Sequence, residues 1–178
     1  QRRRRPVPQA PCERPRTMTR LSGFPPVIDQ HTRVLILGSF PSATSLAAGQ
    51  YYAHPQNQFW RVLGGVLGQE LKAMPYAARL KAVTAAGIGV WDIYASCERS
   101  GSLDSAIREA KANDFAALEK SAPALRRICF NGRTAARRLR EMEALGYEAV
   151  VLPSTSPAHA GMRFEEKRMM GGLCFMVD

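Results

Sequence analysis

Four short runs of apolar residues, separated by segments with helical periodicity, restrict the possible fold more than any other feature of the sequence. The runs occupy residues 33–38, 87–94, 127–130 and 147–152. Runs of this length are typical of strands buried on both faces, and neighbouring parallel strands must be joined by crossovers that are usually helical. The sequence therefore predicts an α/β fold with three layers, α/β/α, around a central parallel, mainly four-stranded sheet.

Helices are predicted between these runs from capping residues and apolar spacing. Residues 39–56 lack such a pattern and are predicted to form a long loop. The expected helices run from Asn57 towards Gly68, from Tyr76 to Ala86, from near Ser102, from Asn113 or Asp114, from Gly132 through Met142, and from Phe164 to Met170. Together they would cover both faces of the sheet.

Positive charge is concentrated at the start of the chain. The 178 residues carry a formal net charge of +10, and residues 1–20 hold seven arginines against one acidic residue, Glu13. Such a balance is typical of proteins that bind a polyanion, either nucleic acid or an anionic membrane surface. The rest of the chain is only moderately basic, as many ordinary enzymes are, so charge alone does not decide the function.

Residues 1–26 are rich in arginine and proline and lack apolar periodicity, which predicts a flexible arm. Residues 27–178 have the size and apolar content of a single domain with one core. No apolar run is long enough to span a bilayer, and prolines follow the arginines where a secretory signal needs an apolar core. We expect a cytoplasmic protein, associated with the nucleoid in a bacterium, that is monomeric and has no membrane partner.

The sequence offers no pattern for a metal or an organic cofactor. Cys12, Cys97, Cys129 and Cys174 are far apart, whereas zinc, redox and iron–sulfur sites usually include closer pairs. Residues 38–60 contain neither GxxxxGK[ST] nor GxGxxG, the two familiar loops that bind nucleotide phosphates. We therefore expect neither a metal nor a cofactor.

Two segments rich in polar and turn-forming residues follow predicted strands, at 39–56 and 153–161. Parallel sheets bind ligands beyond the carboxyl ends of their strands, so both segments are expected at the binding edge. A purely structural connection between a strand and a helix is usually only a few residues long. The length of the first segment, together with its two tyrosines, His54 and the adjacent Asn57, therefore indicates a functional site.

These segments resemble the motifs of the uracil-DNA glycosylase superfamily and, within it, of the hypoxanthine-DNA (deoxyinosine) glycosylase branch. The first motif is Gly38-Ser-Phe-Pro-Ser42, continued by Tyr51-Tyr-Ala-His-Pro-Gln-Asn-Gln-Phe-Trp60, which is similar to the HPxNxFW stretch of mismatch-specific uracil glycosylases. The second is Leu152-Pro-Ser-Thr-Ser-Pro-Ala-His159. The resemblance implies a monofunctional enzyme that excises hypoxanthine, the deamination product of adenine, from DNA and leaves an abasic site for base excision repair.

This reaction makes specific demands on a site. Breaking an N-glycosidic bond builds positive charge on the sugar and negative charge on the base, so catalysis needs donors near the base and a positioned water near C1′. The nucleotide must also leave the duplex and enter a pocket, where aromatic stacking and hydrogen bonds read the base. No lysine lies in the two motifs, so a Schiff-base lyase step is not expected.

The resemblance implies roles for particular residues. Asn57 is the expected catalytic residue, which orients the water, because Phe40 stands where many relatives carry Asp or Asn. Phe40, Phe59 and Asp92 are expected to bind the base. Leu152 stands where several relatives carry a His or Asn that stabilises the leaving base. Contacts to DNA are expected from Ser42, His54, Ser154, Thr155, Ser156, His159 and Met162.

Several of these residues also have a structural interpretation. Asn57 can cap a helix, Phe59 can pack in the core, and His54 and the serines can form hydrogen bonds within turns. The loop that contains His159 can be an ordinary surface loop. The sequence alone does not decide between these structural roles and the functional ones.

Asp92 follows an apolar strand, where a carboxylate is costly to bury unless something binds it. It can accept the N1–H of a flipped hypoxanthine. It can equally accept hydrogen bonds from loop amides between Ser96 and Ser102, with Arg99 and Asp104 as local partners of each other.

Two other functions also remain open. The same motifs fit a glycosylase that acts on uracil or a related mismatched pyrimidine. Phe40, at the usual water-activating place, fits a DNA-binding relative that has lost catalysis.

Overall fold

The chain folds around a parallel sheet whose strands end at one common edge. The computed structural model describes residues 19–159 together with Lys167 and Gly172. Its strands are β1 (Arg20–Ser22), β2 (Val34–Gly38), β3 (Ile88–Asp92), β4 (Tyr94–Glu98), β5 (Arg108–Ala112), β6 (Arg127–Asn131) and β7 (Glu148–Leu152). Its α-helices are α1 (Ala43–Ala48), α2 (Phe59–Leu67), α3 (Tyr76–Ala85), α4 (Leu118–Ser121) and α5 (Leu139–Ala144), and 3-10 turns cover Leu71–Ala73, Asp104–Ala106, Ala135–Arg138 and Pro157–His159. None of the described helices is long and apolar enough to cross a membrane.

The central sheet has the strand order β3-β2-β6-β7, and each neighbouring pair is parallel. The pairing of β2 with β3 runs from Val34 opposite Ile88 to Gly38 opposite Asp92. β6 pairs with the other side of β2 in the same direction. The predicted α/β fold with a parallel four-stranded sheet is confirmed.

Helices cover both faces of this sheet, and β2 is buried along its whole length. On one face, Leu35 and Leu37 belong to a core that includes residues of α4 and α5. On the other face, Ile36 belongs to a core with Trp60 of α2 and Val83 of α3. Alternating residues of one strand therefore lie in two separate cores, which gives the three predicted layers.

The sequence does not predict a second sheet, which is antiparallel and has the order β1-β4-β5. The apolar run 87–94 leaves the central sheet after Asp92, where the N–H of Ile93 donates to the carbonyl of Gly38 at 2.8 Å. The chain then continues as β4. β5 carries mostly exposed, charged side chains, so it lacks the apolar alternation by which a strand is recognised.

The segment 39–56, predicted as a loop, contains helix α1. Ser42 caps this helix because its Oγ accepts the N–H of Ser45 at 3.1 Å. Gly49 ends it in the left-handed conformation, at φ 64°. Because α1 has only six residues, apolar periodicity cannot reveal it.

The predicted helix after Gly132 is divided into a 3-10 turn and α5. The helix predicted at 164–170 lies, apart from Lys167, outside the described residues.

The fold begins before the expected boundary between arm and domain at residue 27. The three residues of β1 pair with β4, and the Arg20 side chain donates to Ser96 Oγ at 2.8 Å. Val27 then forms a bridge with Val90 of the central sheet. Backbone pairing holds this segment without any apolar pattern, so β1 lies within the range predicted as an arm, and the arm and its boundary stay predictions. Residues 1–18 lie outside the described part.

Removing β1 should destabilise the protein, whereas removing only the residues before it should not. A chain that starts at residue 23 loses the three backbone pairs with β4 and the contact between Arg20 and Ser96. Cross-strand pairs contribute roughly 0.2–1 kcal/mol each, so the free energy of unfolding should fall by roughly 1–3 kcal/mol. A chain that starts at residue 19 is the control. Urea unfolding measures both, and full stability in the shorter chain would contradict this role of β1.

Candidate active site

A cavity of about 310 Å³ lies at the carboxyl edge of the central sheet. It is bounded by the segment after β2, Asn57 shortly before α2, the loop between β4 and β5, and the segment after β7. Of the site residues predicted from sequence, those that line it are Phe40, Ser42, Asn57, Asp92, Ser154, Thr155 and Ser156. The fold thus brings the two sequence motifs together at one cavity.

Gly38 ends β2 directly beside Asp92, the last residue of β3. A Cβ atom at Gly38 would lie 2.5 Å from Asp92 Oδ1 and 2.8 Å from the hydroxyl oxygen of Tyr52. Such approaches are too close for any side chain, so this position requires glycine for close approach rather than for its backbone angles. The polar atoms of Asp92 and Tyr52 therefore converge on the gap that the missing side chain leaves.

Asp92 is buried, with 4% of its surface exposed. Its Oδ2 atom accepts no hydrogen bond within the described part of the chain. Burial and, to a smaller extent, the nearby Asp104 raise the pKa of Asp92, Arg99 opposes the rise, and the resulting pKa is about 7. The carboxyl group is therefore partly ionised at neutral pH, and its ionised form is a buried acceptor that a ligand can satisfy.

Arg99 and Asp104, expected as partners of each other, form no ion pair among the described residues. Arg99 instead donates from Nη2 to the carbonyl of Pro41. Asp104 accepts a hydrogen bond of 2.6 Å from the hydroxyl of Ser39. Both side chains hold the loop after β2, and they influence Asp92 through their charge.

The aromatic residues of the first motif are placed differently from the expectation. Phe40 lines the cavity, and the guanidinium of Arg99 lies 5.2 Å from the centre of its ring. Phe59 is buried in the core against Trp60 and does not belong to the cavity lining. Tyr52 stacks on Phe59 with ring centres 3.8 Å apart and an interplanar angle of 15°. Phe59 therefore supports the wall, and Tyr52, one of the two tyrosines noted in the sequence but given no role there, forms it.

Asn57 combines both interpretations that its position in the sequence allows. Its Oδ1 atom accepts the N–H of Phe59 at 2.9 Å, an interaction that fixes the start of α2. The side chain also lines the cavity. A carbonyl oxygen has two lone pairs and the amide nitrogen has two protons, so this capping bond leaves acceptor and donor capacity for a water molecule.

Asn131, which the sequence analysis missed, ties the second motif to the central sheet. Its side chain donates to Thr155 Oγ1 at 2.9 Å and accepts the N–H of Thr155 at 2.9 Å. The carbonyl of Thr155 in turn accepts the N–H of Gln58 at 3.1 Å. Thr155 is buried and joins the two motifs in this way, and its contact with DNA stays a prediction. A polar residue at the end of a predicted strand was the signal that could have identified Asn131.

The serines at the cavity also shape their own turns. Ser42 caps α1, Ser154 Oγ accepts the N–H of Ser156 at 3.2 Å, and Ser156 Oγ accepts the N–H of Ala158 at 3.3 Å. These bonds use the oxygen lone pairs and leave the hydroxyl protons of Ser154 and Ser156 for another acceptor. The turn-forming role and a contact with phosphate are therefore compatible.

Of the predicted histidines, His54 lies in the first motif and His159 in the second. His54 accepts the N–H of Gln56 at its Nδ1 atom, at 3.2 Å, and does not belong to the cavity lining. Its placement fits a hydrogen-bonding role within the loop. His159 belongs to the 3-10 turn after β7, and Met162 lies outside the described residues.

The cavity therefore combines two carboxyl groups, two side-chain amides and several hydroxyl groups around an aromatic wall. This set can bind a planar polar group and hold a water molecule beside it. Within the described part of the chain, no group of His, Cys, Asp and Glu side chains is arranged to hold a metal ion.

Residues of both sequence motifs line one cavity at the carboxyl edge of a parallel sheet, the place where α/β proteins bind ligands. The profile of the uracil DNA glycosylase superfamily matches residues 25–170, and the chain belongs to this superfamily. The resemblance found from the two motifs is thereby confirmed for the superfamily.

Two relatives and one solved structure share much of their amino-acid sequence with this chain. A protein of Methanosarcina acetivorans named hypoxanthine DNA glycosylase is 44% identical over 146 residues, which are 82% of this chain and 91% of the relative. A protein of Methanosarcina barkeri with the same name is 42% identical over 77% of this chain and 87% of the relative. The solution NMR structure of a candidate uracil DNA glycosylase from Methanosarcina acetivorans has a TM-score of 0.76 and 40% identity, over 86% of this chain and 99% of that one.

Asp92→Asn should stabilise the protein at high pH. A carboxyl group whose pKa is raised on folding stabilises the folded state fully below its unfolded pKa, near 3.8, and this contribution is lost as the pH rises through about 7. An amide does not ionise, so the variant should be more stable than wild type by roughly 1–4 kcal/mol at pH 8, with the difference shrinking towards pH 4. Urea unfolding at both pH values measures this. A variant that is less stable at pH 8 would show that the carboxylate accepts structural hydrogen bonds.

Proposed function

We propose that this chain is a monofunctional DNA glycosylase that removes hypoxanthine from DNA and leaves an abasic site. One observation carries the proposal: a buried carboxyl group with an unpaired oxygen, Asp92, lines the same cavity as the Asn57 amide. Membership of the uracil DNA glycosylase superfamily supports the type of reaction. The two relatives named hypoxanthine DNA glycosylase support the choice of base.

The proposed reaction needs the nucleotide to be flipped out of the duplex, with its base in the cavity and its sugar beside Asn57. Asn57 orients a water molecule towards C1′. When the bond between C1′ and N9 breaks, its electron pair stays on the base, the water oxygen bonds to C1′, and a water proton neutralises the base. Preorganised donors around the base lower the barrier, because they meet negative charge as it develops.

Asp92 is proposed to select the base. Hypoxanthine presents an N1–H donor where adenine presents a bare N1 acceptor. An ionised carboxylate accepts a hydrogen bond from the first and repels the second, and this difference would spare normal adenine. Because the pKa of Asp92 is raised only to about 7, the ionised form is available at neutral pH.

Duplex DNA with a damaged base is the proposed partner. Ser42, Ser154 and Ser156 are available at the cavity for phosphate contacts, and His159 and Met162 remain the residues proposed to enter the base stack. The arginines that precede β1 would add contacts that do not depend on base sequence. β1 starts opposite Glu98, shortly before the loop that lines the cavity. We propose a monomer that acts in the cytoplasm without a metal or cofactor.

Uracil is the second candidate base. Its N3–H and the carbonyl beside it present the same donor and acceptor pattern as the N1–H and C6 carbonyl of hypoxanthine, so Asp92 can serve either base. The similarity of this chain to the solved structure of a candidate uracil DNA glycosylase also favours uracil as the base.

Excision from defined duplexes tests the proposed function. Purified protein is incubated with duplexes that contain deoxyinosine or deoxyuridine, and abasic sites are then cleaved with alkali. We expect faster single-turnover excision of hypoxanthine than of uracil, and no loss of rate in a chelator. Equal or faster excision of uracil would assign the second candidate. Binding without excision of either base would instead identify a DNA-binding relative.

Asn57→Ala should lower the single-turnover rate by roughly 100-fold or more, because a group that orients water acts mainly in the transition state. Loss of the bond to the Phe59 N–H should also cost about 1 kcal/mol of stability. Asn57→Ser is the matched control, since a serine oxygen can cap the same N–H. It should keep most of the stability and lose the rate as severely. A serine variant with the wild-type rate would show that Asn57 acts only as a cap.

A further inference from the structure

The hydroxyl group of Tyr52 is buried beside the cavity. The side-chain amide of Asn131 interacts with its oxygen as a hydrogen-bond donor, and no described group is placed to accept its proton. The tyrosine ring belongs to the cavity lining. A buried hydroxyl without a partner costs stability, and native proteins keep few such groups. The hydroxyl proton therefore has no structural acceptor among the described residues, whereas phenylalanine would fill the same space.

The structure holds the Tyr52 side chain in one orientation. Its ring lies against Phe59, with ring centres 3.8 Å apart, and Phe59 is fixed in the core by α2. The Tyr52 backbone has a φ of 53°, in the left-handed region that residues other than glycine seldom adopt. Strain of this kind is maintained where the surrounding structure requires a side chain in a particular place, often at a binding site.

The Tyr52 hydroxyl lies near the buried carboxyl group of Asp92, across the gap at Gly38. A Cβ atom at Gly38 would be 2.8 Å from the hydroxyl and 2.5 Å from Asp92 Oδ1. All three residues line the same cavity. The gap therefore presents one phenolic donor and one carboxylate acceptor next to each other.

We propose that the Tyr52 hydroxyl donates a hydrogen bond to the C6 carbonyl oxygen of the excised base, and thereby determines specificity and stabilises the leaving base. This inference rests on the proposed function, in which Asp92 selects the base, and it makes Tyr52 a second residue that recognises the base. Tyr52 and Asp92 would read a carbonyl oxygen and the adjacent N–H as one unit. Adenine presents an amine and a bare nitrogen at these two places, so both hydrogen bonds would be lost.

The donor also fits the charge changes of the reaction. The electron pair of the broken glycosidic bond passes to the base, and part of the negative charge reaches the C6 oxygen. A hydrogen bond to that oxygen strengthens as the bond breaks. Burial and the nearby Asp92 raise the pKa of Tyr52 far above the neutral range, although Asn131 opposes the rise. Tyr52 therefore keeps its proton and acts as a donor, while water supplies the proton that neutralises the base.

Tyr52→Phe tests the proposal, because it removes the hydroxyl and keeps the ring that packs on Phe59. Single-turnover excision is measured from duplexes with deoxyinosine and with deoxynebularine, a purine nucleoside without the C6 oxygen. The rate on deoxyinosine should fall by roughly 10- to 100-fold. The preference for deoxyinosine over deoxynebularine should fall by a similar factor, and the Tm should be unchanged or higher.

Tyr76→Phe is the matched control. It removes a hydroxyl that accepts the N–H of Tyr51 at 3.0 Å and that does not belong to the cavity lining. This variant should leave the ratio between the two substrates unchanged.

Two results would overturn the role of Tyr52 while leaving the proposed function intact. One is a Tyr52→Phe variant whose rate on deoxyinosine stays within about twofold of wild type, since one lost hydrogen bond costs more. The other is an equal loss of rate on both substrates, which would reduce Tyr52 to a residue that shapes the cavity. If the wild-type protein excises no hypoxanthine, the proposed function and this inference fail together.

Discussion

The register between β2 and β3 is the constraint on which the rest of the site depends. It sets Gly38 opposite Asp92, so that the only residue type without a side chain ends one strand where a buried carboxyl group ends the next. A shift by one residue would place Leu37 or Ser39 there, and its side chain would fill the gap. β2 pairs with β3 on one side and with β6 on the other, and Leu35 and Ile36 pack in separate cores, so a shift of register would disrupt pairing and packing together.

Stability and function make opposite demands at this edge of the sheet. The unpaired atoms of Asp92 and Tyr52 each lower stability. Nearby, the side chain of Asn131 and Thr155 are instead joined by two hydrogen bonds. The rigid polar link holds the loops, and the unpaired groups remain available to a ligand. This contrast between adjacent polar groups separates the residues that build the cavity from those proposed to work in it.

The sequence predicts the central sheet and the cavity edge well because continuous apolar runs and strand ends carry strong signals. It does not predict β5, whose charged residues pair only through the backbone, or α1, which is too short for periodicity. Asn57 and Asp92 are identified correctly as cavity residues from their positions in the motif and at the strand end. The sequence could not predict that Tyr52, and not Phe59, forms the aromatic wall of the cavity, because this depends on how the two rings stack.

The central claim is that the cavity at the carboxyl edge binds the flipped base through Asp92. A crystal structure of the protein with a duplex that contains 2′-fluoro-2′-deoxyinosine, whose glycosidic bond resists cleavage, tests this claim most directly. The account predicts hypoxanthine inside the cavity, with N1 within hydrogen-bond distance, about 2.7–3.2 Å, of an Asp92 carboxylate oxygen. A base that is flipped into a different site, or that enters the cavity with N1 facing away from Asp92, would contradict the account.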